Sequence, residues 1–595
     1  MSAASPRGEG SPARWFDLGL LGVLALILLS WSWGKWPDVL VDFGRQLYVP
    51  WQLASGKVLY RDVAYLNGPL SPYAHALCFR LFGPGLRVLV IVNLALLGVL
   101  VLVLHALLLR IGGRVAALLA CATFLCVFAF AQQLPIGNYN FVAPYAYEIT
   151  HGILLALLAV LFLGRYARDG RLYDVVACGT CVGLACLTKP EILVATAGAV
   201  SAGLVLALWL CHPDGARRTV VVGAYGGALL VPVLAAAALL SVVLPPSQAL
   251  ADALGGMPLV FAPAVSASRF YQAKMGLLDL SGGLSTIAWW TVFYGLWIGG
   301  AALLGALLPS RVLAGPGRAA APFLILLAGL LLCGDRIHWT QVLFPLPLFM
   351  LVAIGGLLAV ALRAIERAER ARLVLAATFA LLSLLLLGKV LLRVRPSHYG
   401  FALAMPGTLL LIVLVWDWLP RAIARTPGAR QMLRAAFLAA LVAAVAAHLR
   451  TTASYFERKT VRVGSGADAF WADERGEEVV RTLGEIATLV PPDASLAAVP
   501  DGPIMNYLAR RPSSIPYILF NPFEVDAHGE ANMLAAFAQA PPDFILLSDW
   551  PMQEFGVAGF GDGYAERIAA WIGTHYRVVG SGAARSMVLM RRARR

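Results

Sequence analysis

Apolar runs long enough to span a membrane recur along most of this chain, and no other feature constrains its fold as strongly. Crossing a hydrocarbon layer takes about 20 consecutive apolar residues. Runs of that order lie near 17–34, 88–109, 115–131, 150–164, 174–188, 191–210, 219–244, 284–308, 319–333, 339–362, 373–392, 406–420 and 435–448. Only 13% of the 595 residues are charged and 59% are hydrophobic, whereas soluble domains carry roughly 25% charged residues. The chain therefore reads as a polytopic α-helical membrane protein with about thirteen transmembrane helices. Its formal charge of +14 would suggest a nucleic-acid partner if the basic residues lay together. They sit instead in short links between apolar runs, so topology accounts for them.

The links set an orientation. With the N-terminus cytoplasmic, the inside links hold Arg7 and Arg14, Arg110 and Arg114, Arg165, Arg168 and Arg171, and Arg217 and Arg218. Further along they hold Arg311 and Arg318, the Arg363 to Arg372 cluster, and the Arg421 to Arg434 cluster. Every inside link is basic, provided that 174–210 is two short spans turning at "TKPE", where Pro190 breaks the helix. The polar start followed by an uncleaved apolar run reads as an anchor. The eight cysteines lie in or beside apolar runs and read as small buried residues, including the Cys178–Cys181 pair. The expected location is a plasma (inner) membrane.

Four features then face the extracytoplasmic side: loops 35–86, 132–149 and 245–283, and the tail 449–595. The tail holds 17 of the 33 acidic residues. It alternates helix-like stretches ("DERGEEVVRTLGEIATLV", "ANMLAAFAQA", "YAERIAAWIGTHY") with strand-like ones ("SLAAVP", "FILLSD", "SMVLMRR"). That pattern predicts a small soluble α/β domain after a transmembrane module of residues 1–448. Asp501, Asn521 and Asp549 each follow a strand-like run, where open α/β sheets form clefts; turn chemistry is the competing reading.

The first loop opens with "VDFGRQLYVPWQLASG". Leu40, Phe43, Leu47, Trp51 and Leu53 fall at roughly helical spacing, which predicts an interfacial helix with Asp42 near its start. On spacing alone, Asp42 is equally a helix-start carboxylate favoured by the dipole. The loop continues as "LYRDVAYLNGPLSPYAHALCFRLFG". An acidic residue just past the first span, this run, and a many-span body with an outward tail together resemble the C-type superfamily of membrane glycosyltransferases. The likeness is to the protein mannosyltransferase-like group that includes bacterial aminoarabinose transferases.

The resemblance implies a sugar donor carried on a polyprenyl phosphate, and a lipid, glycan or protein acceptor. It makes Asp42 the base that activates the acceptor hydroxyl for inverting attack. The leaving group is an anionic phosphate, so cations should face it. Lys189 at the "TKPE" turn, and Arg336 or His338 in "GDRIHWTQ", are the candidates; snorkelling and interfacial anchoring compete for them. Glu148 matches a second acidic position that would hold the acceptor or a divalent ion. Glu148 and His151 are weak metal candidates, since one E-x-x-H is unspecific. Tyr139, Phe141, Tyr145 and Tyr147 suit sugar stacking and suit an aromatic belt as well. Arg61 and Asp62 match the family's "YRD" run, as substrate contacts or as a brace within the loop. Arg269, Tyr271 and Lys274 could meet an anionic lipid or form an amphipathic surface segment.

Two other classes compete. A transporter or flippase predicts ionisable residues deep in the spans, yet the polar residues cluster at span ends. A ligase- or polymerase-like enzyme would use arginines and a histidine without a carboxylate base.

Overall fold

The computed structural model describes residues 12–137, 139–212, 217–255, 257, 268–307, 320–550, 552–580 and 586–593. Arg7, Arg311, Arg318 and part of the loop 245–283 lie outside these residues.

Every apolar run is helical among the described residues. Among the described residues, ten helices are long and apolar enough to cross a membrane, and three shorter apolar ones, Arg114–Ala129, Leu172–Cys186 and Ala320–Leu332, fill the remaining runs. The chain is thus a multi-pass helical protein with a small sheet region near its C-terminus. Its first eight helices are α1 (Pro12–Ser32), α2 (Arg45–Ala54), α3 (Leu70–Phe82), α4 (Leu86–Ile111), α5 (Arg114–Thr123), α6 (Tyr147–Asp169), α7 (Leu172–Cys186) and α8 (Pro190–Leu210). The break at "TKPE" is where the sequence places it. α7 stops at Cys186, and Pro190 opens α8 at the first helical position, where its missing N–H costs nothing.

The predicted helix after Asp42 forms as α2, but protein covers it. None of its residues is exposed. It packs on α3 and on the tail helix Pro503–Ala509. The Tyr48 hydroxyl accepts from the Ser513 amide at 2.9 Å, and Trp51 meets Tyr507 edge-on at 5.9 Å. Its apolar spacing therefore serves a protein interface. The exposed apolar stripe belongs to the next helix, where Tyr73, Leu77 and Leu81 repeat every four residues on the open face of α3.

In the tail, the last spanning helix runs past residue 449 to Glu457 before the first strand begins. β1 (Val461–Val463) and β2 (Phe470–Ala472) pair antiparallel. β3 (Leu496–Val499), β4 (Phe544–Ser548), β5 (Tyr576–Val578) and β6 (Met587–Arg592) form a mixed sheet of order β3-β4-β6-β5, with β3 and β4 parallel. Side chains alternate across it, as strand geometry requires. Leu496, Ala498 and Leu546 join the core that runs into the first loop and the spans. Ala497, Val499 and Ile545 join a second core under the helices Glu530–Gln539 and Glu566–His575. The sheet is thus buried on both faces, with β3 ending beside the first loop.

Candidate functional site

Backbone contacts gather the first loop, the α7–α8 turn and the tail into one place. The Gly68 amide donates to Thr188 O at 2.6 Å and the Leu70 amide to Leu187 O at 3.1 Å. A Cβ on Gly68 would sit 2.1 Å from Leu187 O, so the two segments touch through backbone alone. Asp38, almost fully buried, ties further parts together. It accepts from the amides of Leu40, Val41 and Gly137, and from Arg475 of the tail at 2.9 Å.

Asp42 lies within this knot. Its backbone is left-handed, φ 59°, a region that Asp tolerates better than most residues. Its amide donates to Asp501 Oδ2 at 3.2 Å. Burial pushes the Asp42 carboxyl above its ordinary range; Arg45 and Lys189 pull it back, while Asp38 and Glu554 push further. Burial disfavours the Arg45 charge, but the Glu148 and Asp42 carboxylates more than offset this. The Arg45 guanidinium lies 5.6 Å from the Tyr65 ring centre.

Glu148 is fully buried in the first turn of α6. The Tyr65 hydroxyl donates to its Oε1, and its Oε2 has no hydrogen-bond partner among the described residues. Lys189 stands at the start of α8, 3.4 Å from Glu191 and 5.8 Å from the Tyr145 ring centre. Burial draws its ammonium below the ordinary range, opposed by Glu191. Lys389 reaches the same Glu191 oxygen, Oε1, at 2.8 Å and lies 5.0 Å from the Tyr399 ring centre. The helix Arg269–Met275 closes over this group. Tyr271 faces Lys389, Glu191 and Glu524. Phe270 stacks on Phe555 at 4.5 Å, and Lys274 meets Glu554 at 3.0 Å.

Asp42, Glu148 and Lys189 therefore share one cluster, and Arg336 and His338 stand apart from it. Both are exposed, and their neighbour Asp335 pairs at 3.7 Å with Arg450 of the last spanning helix. Arg61 and Asp62 form a two-pronged pair at 3.0 and 2.8 Å, and Asp62 also takes the Val58 amide. This braces the loop, and the pairing with Arg61 holds the Asp62 carboxyl below its ordinary range. His151 is engaged by Ser71 at 2.8 Å and stacks on His75. No group of three or more His, Cys, Asp or Glu is placed to hold a metal ion among the described residues. Of the loop aromatics, Tyr139, Phe141 and Tyr147 are buried in packing, and Tyr145 remains beside the lysines.

Two contributors escape a sequence reading. Lys389 lies within an apolar run, where only its isolation in "LLLLGKVLLR" sets it apart. Arg45 looks like a polar spacer on a surface helix until the tail covers that helix.

No protein-family model matches this sequence, and neither does any curated protein. Among solved structures, the oligosaccharyltransferase AglB of Archaeoglobus fulgidus, in complex with an inhibitory peptide and a dolichol-phosphate, aligns with 93% of this chain and 72% of its own. The TM-score is 0.51 and the identity 13%. ArnT of Cupriavidus metallidurans bound to undecaprenyl phosphate aligns over 98% of both chains, at 17% identity and a TM-score of 0.40. The likeness to AglB shows a shared fold. The resemblance drawn from the first loop is met at the level of the fold.

Proposed function

We propose that this chain is an integral membrane glycosyltransferase. It takes a sugar from a polyprenyl-phosphate carrier and passes it, with inversion, to an acceptor on the extracytoplasmic face of the plasma (inner) membrane. The observation that carries the reading is the cluster itself: a shielded carboxylate, Asp42, facing Arg45 and Lys189, with Lys389 joined to Lys189 through Glu191. The fold shared with a protein solved with dolichol-phosphate supports it.

In this reading the acceptor hydroxyl gives its proton to the Asp42 carboxylate as its oxygen attacks the anomeric carbon. The bond from that carbon to the phosphate oxygen breaks, and the electron pair leaves with the lipid phosphate. Lys189 and Lys389, already sharing Glu191, receive the new negative charge. Glu148, with one oxygen held by Tyr65 and the other without a partner among the described residues, orients the acceptor. Arg61 and Asp62 keep the loop in shape. Arg336 and His338, exposed and apart from the cluster, anchor their segment at the membrane surface.

The test uses purified full-length protein in nanodiscs with polyprenyl-phosphate-linked hexose and pentose donors. Asp42→Asn should lower kcat by about 10²–10⁴, the usual weight of general-base catalysis. Lys189→Ala should raise the donor KM about tenfold or more, as loss of a hydrogen bond to a charged group implies. If the wild type makes no product and binds none of these lipids, or if Asp42→Asn stays active, the reading fails.

A further inference from the structure

The tail touches the candidate base directly. Asp501 lies just past β3, 7% exposed, and its Oδ2 accepts the Asp42 amide at 3.2 Å. Its Oδ1 is buried without a hydrogen-bond partner among the described residues. The loop and tail are in backbone contact at the same place: a Cβ on Gly44 would sit 2.1 Å from the Ile504 amide nitrogen. Tyr48 with Ser513, and the Ala64 amide with Pro516 O at 2.9 Å, extend that contact. Asp42 adopts its left-handed backbone where the tail supplies the acceptor for its amide.

We propose that Asp501 is a positioning residue for Asp42: the tail carboxyl takes the Asp42 amide proton and holds the left-handed backbone that presents the Asp42 side chain to Arg45 and Lys189. This rests on Asp42 being the base, and it makes the tail a working part of the site. Asp42 faces Arg45 on α2, Asp38 before it, Lys189 from the α7–α8 turn and Glu554 from the tail. Asp501 faces Asp42, Asp38 and Tyr564. Burial, then the Asp42 charge, pushes the Asp501 carboxyl up to about 8. In this proposal Oδ1, which has no partner among the described residues, carries the carboxyl proton while Oδ2 accepts the amide. An amide side chain at 501 retains the acceptor oxygen and cannot ionise, whereas a methyl group provides neither oxygen.

Two measurements on the full-length protein test this. In the donor assay, Asp501→Ala should lower kcat about tenfold to a hundredfold, the scale of an ångström-level misplacement of a reacting group, while donor KM stays within about twofold. Asp501→Asn should restore kcat to near wild type at pH 7. It should also remove the break in the pH–rate profile near pH 8 that ionisation of Asp501 beside Asp42 produces. In the second measurement, a hydrophobic carbodiimide modifies protonated carboxyls, and mass spectrometry follows Asp501 across pH. Asp42→Asn should lower the midpoint of Asp501 modification by about one unit, because it removes a neighbouring charge. If Asp42→Asn is inactive while Asp501→Ala keeps wild-type kcat, the positioning role is wrong and the base reading stands. If Asp42→Asn is active, the base reading falls, and an Asp501 midpoint unmoved by Asp42→Asn removes the pairing too.

Discussion

In the proposed reaction Asp42 is both the base and a residue with a left-handed backbone, and the choice of substitution separates the two. Asn tolerates a positive φ about as well as Asp, so Asp42→Asn changes the charge and leaves the backbone at ease. Asp42→Ala would add backbone strain of order 1 kcal/mol and blur the result. The Asp501 carboxyl has its own consequence for stability. Its value rises from an ordinary 3.8 to about 8 in the folded protein, so between about pH 4 and pH 8 the folded form holds a proton that the unfolded form has released. A raised value of this kind contributes stability that is full below the unfolded value and is lost as pH rises through the folded one. Wild-type Tm should therefore fall across that window, and Asp501→Asn should flatten the fall. Equal slopes in the two proteins would contradict a buried, protonated Asp501. Asp42 could be picked out in the sequence because it follows the first span and matches a family position. Asp501 stands out too, as a residue just after a strand-like run, but its pairing with Asp42 does not, because the two are brought together across most of the chain's length and no local spacing encodes that contact.

At the scale of elements, the helical spacing of residues 40–53 correctly predicts α2, but not what covers it. An apolar stripe facing lipid and one facing a folded tail look the same in sequence, since both are measured only as removal from water. The structure separates them through Gly44. Its φ of −54° is open to any residue, so the close approach to Ile504 alone excludes a side chain there. Gly44→Ala should cost about 1–3 kcal/mol as an overpacked contact, read as a lower Tm and faster proteolysis of the tail while the spans stay resistant. A Tm equal to wild type would mean that the Pro503–Ala509 helix yields at no cost and that the contact does not fix the tail. The tail's own elements were legible in part. Three strands coincide with the alternating stretches. β1, β2 and β5 are three residues each, too short for an alternation to register.

For the whole molecule, the helices have a consistent polarity. α6 starts with Glu148 in the site and ends among Arg165 and Arg168. α8 starts at Lys189 and ends at Leu210, whose carbonyl takes Arg370. The span Arg367–Val390 starts in that arginine cluster and ends at Lys389 in the site. A helix of 23 residues is about 34 Å long at 1.5 Å per residue, close to the roughly 30 Å of a bilayer core. The site and the arginines thus lie a membrane thickness apart. From the positive-inside rule we propose that the arginine end is cytoplasmic, with the Asp42 cluster and the tail outside. Single cysteines at two exposed positions of a cysteine-free protein test this in intact cells. Thr488→Cys in the tail should react with a membrane-impermeant maleimide, and Asp169→Cys at the arginine end of α6 should react only after the membrane is opened. The reverse pattern would turn the protein over. The cluster would then face the cytoplasm, and the acceptor would have to be sought there.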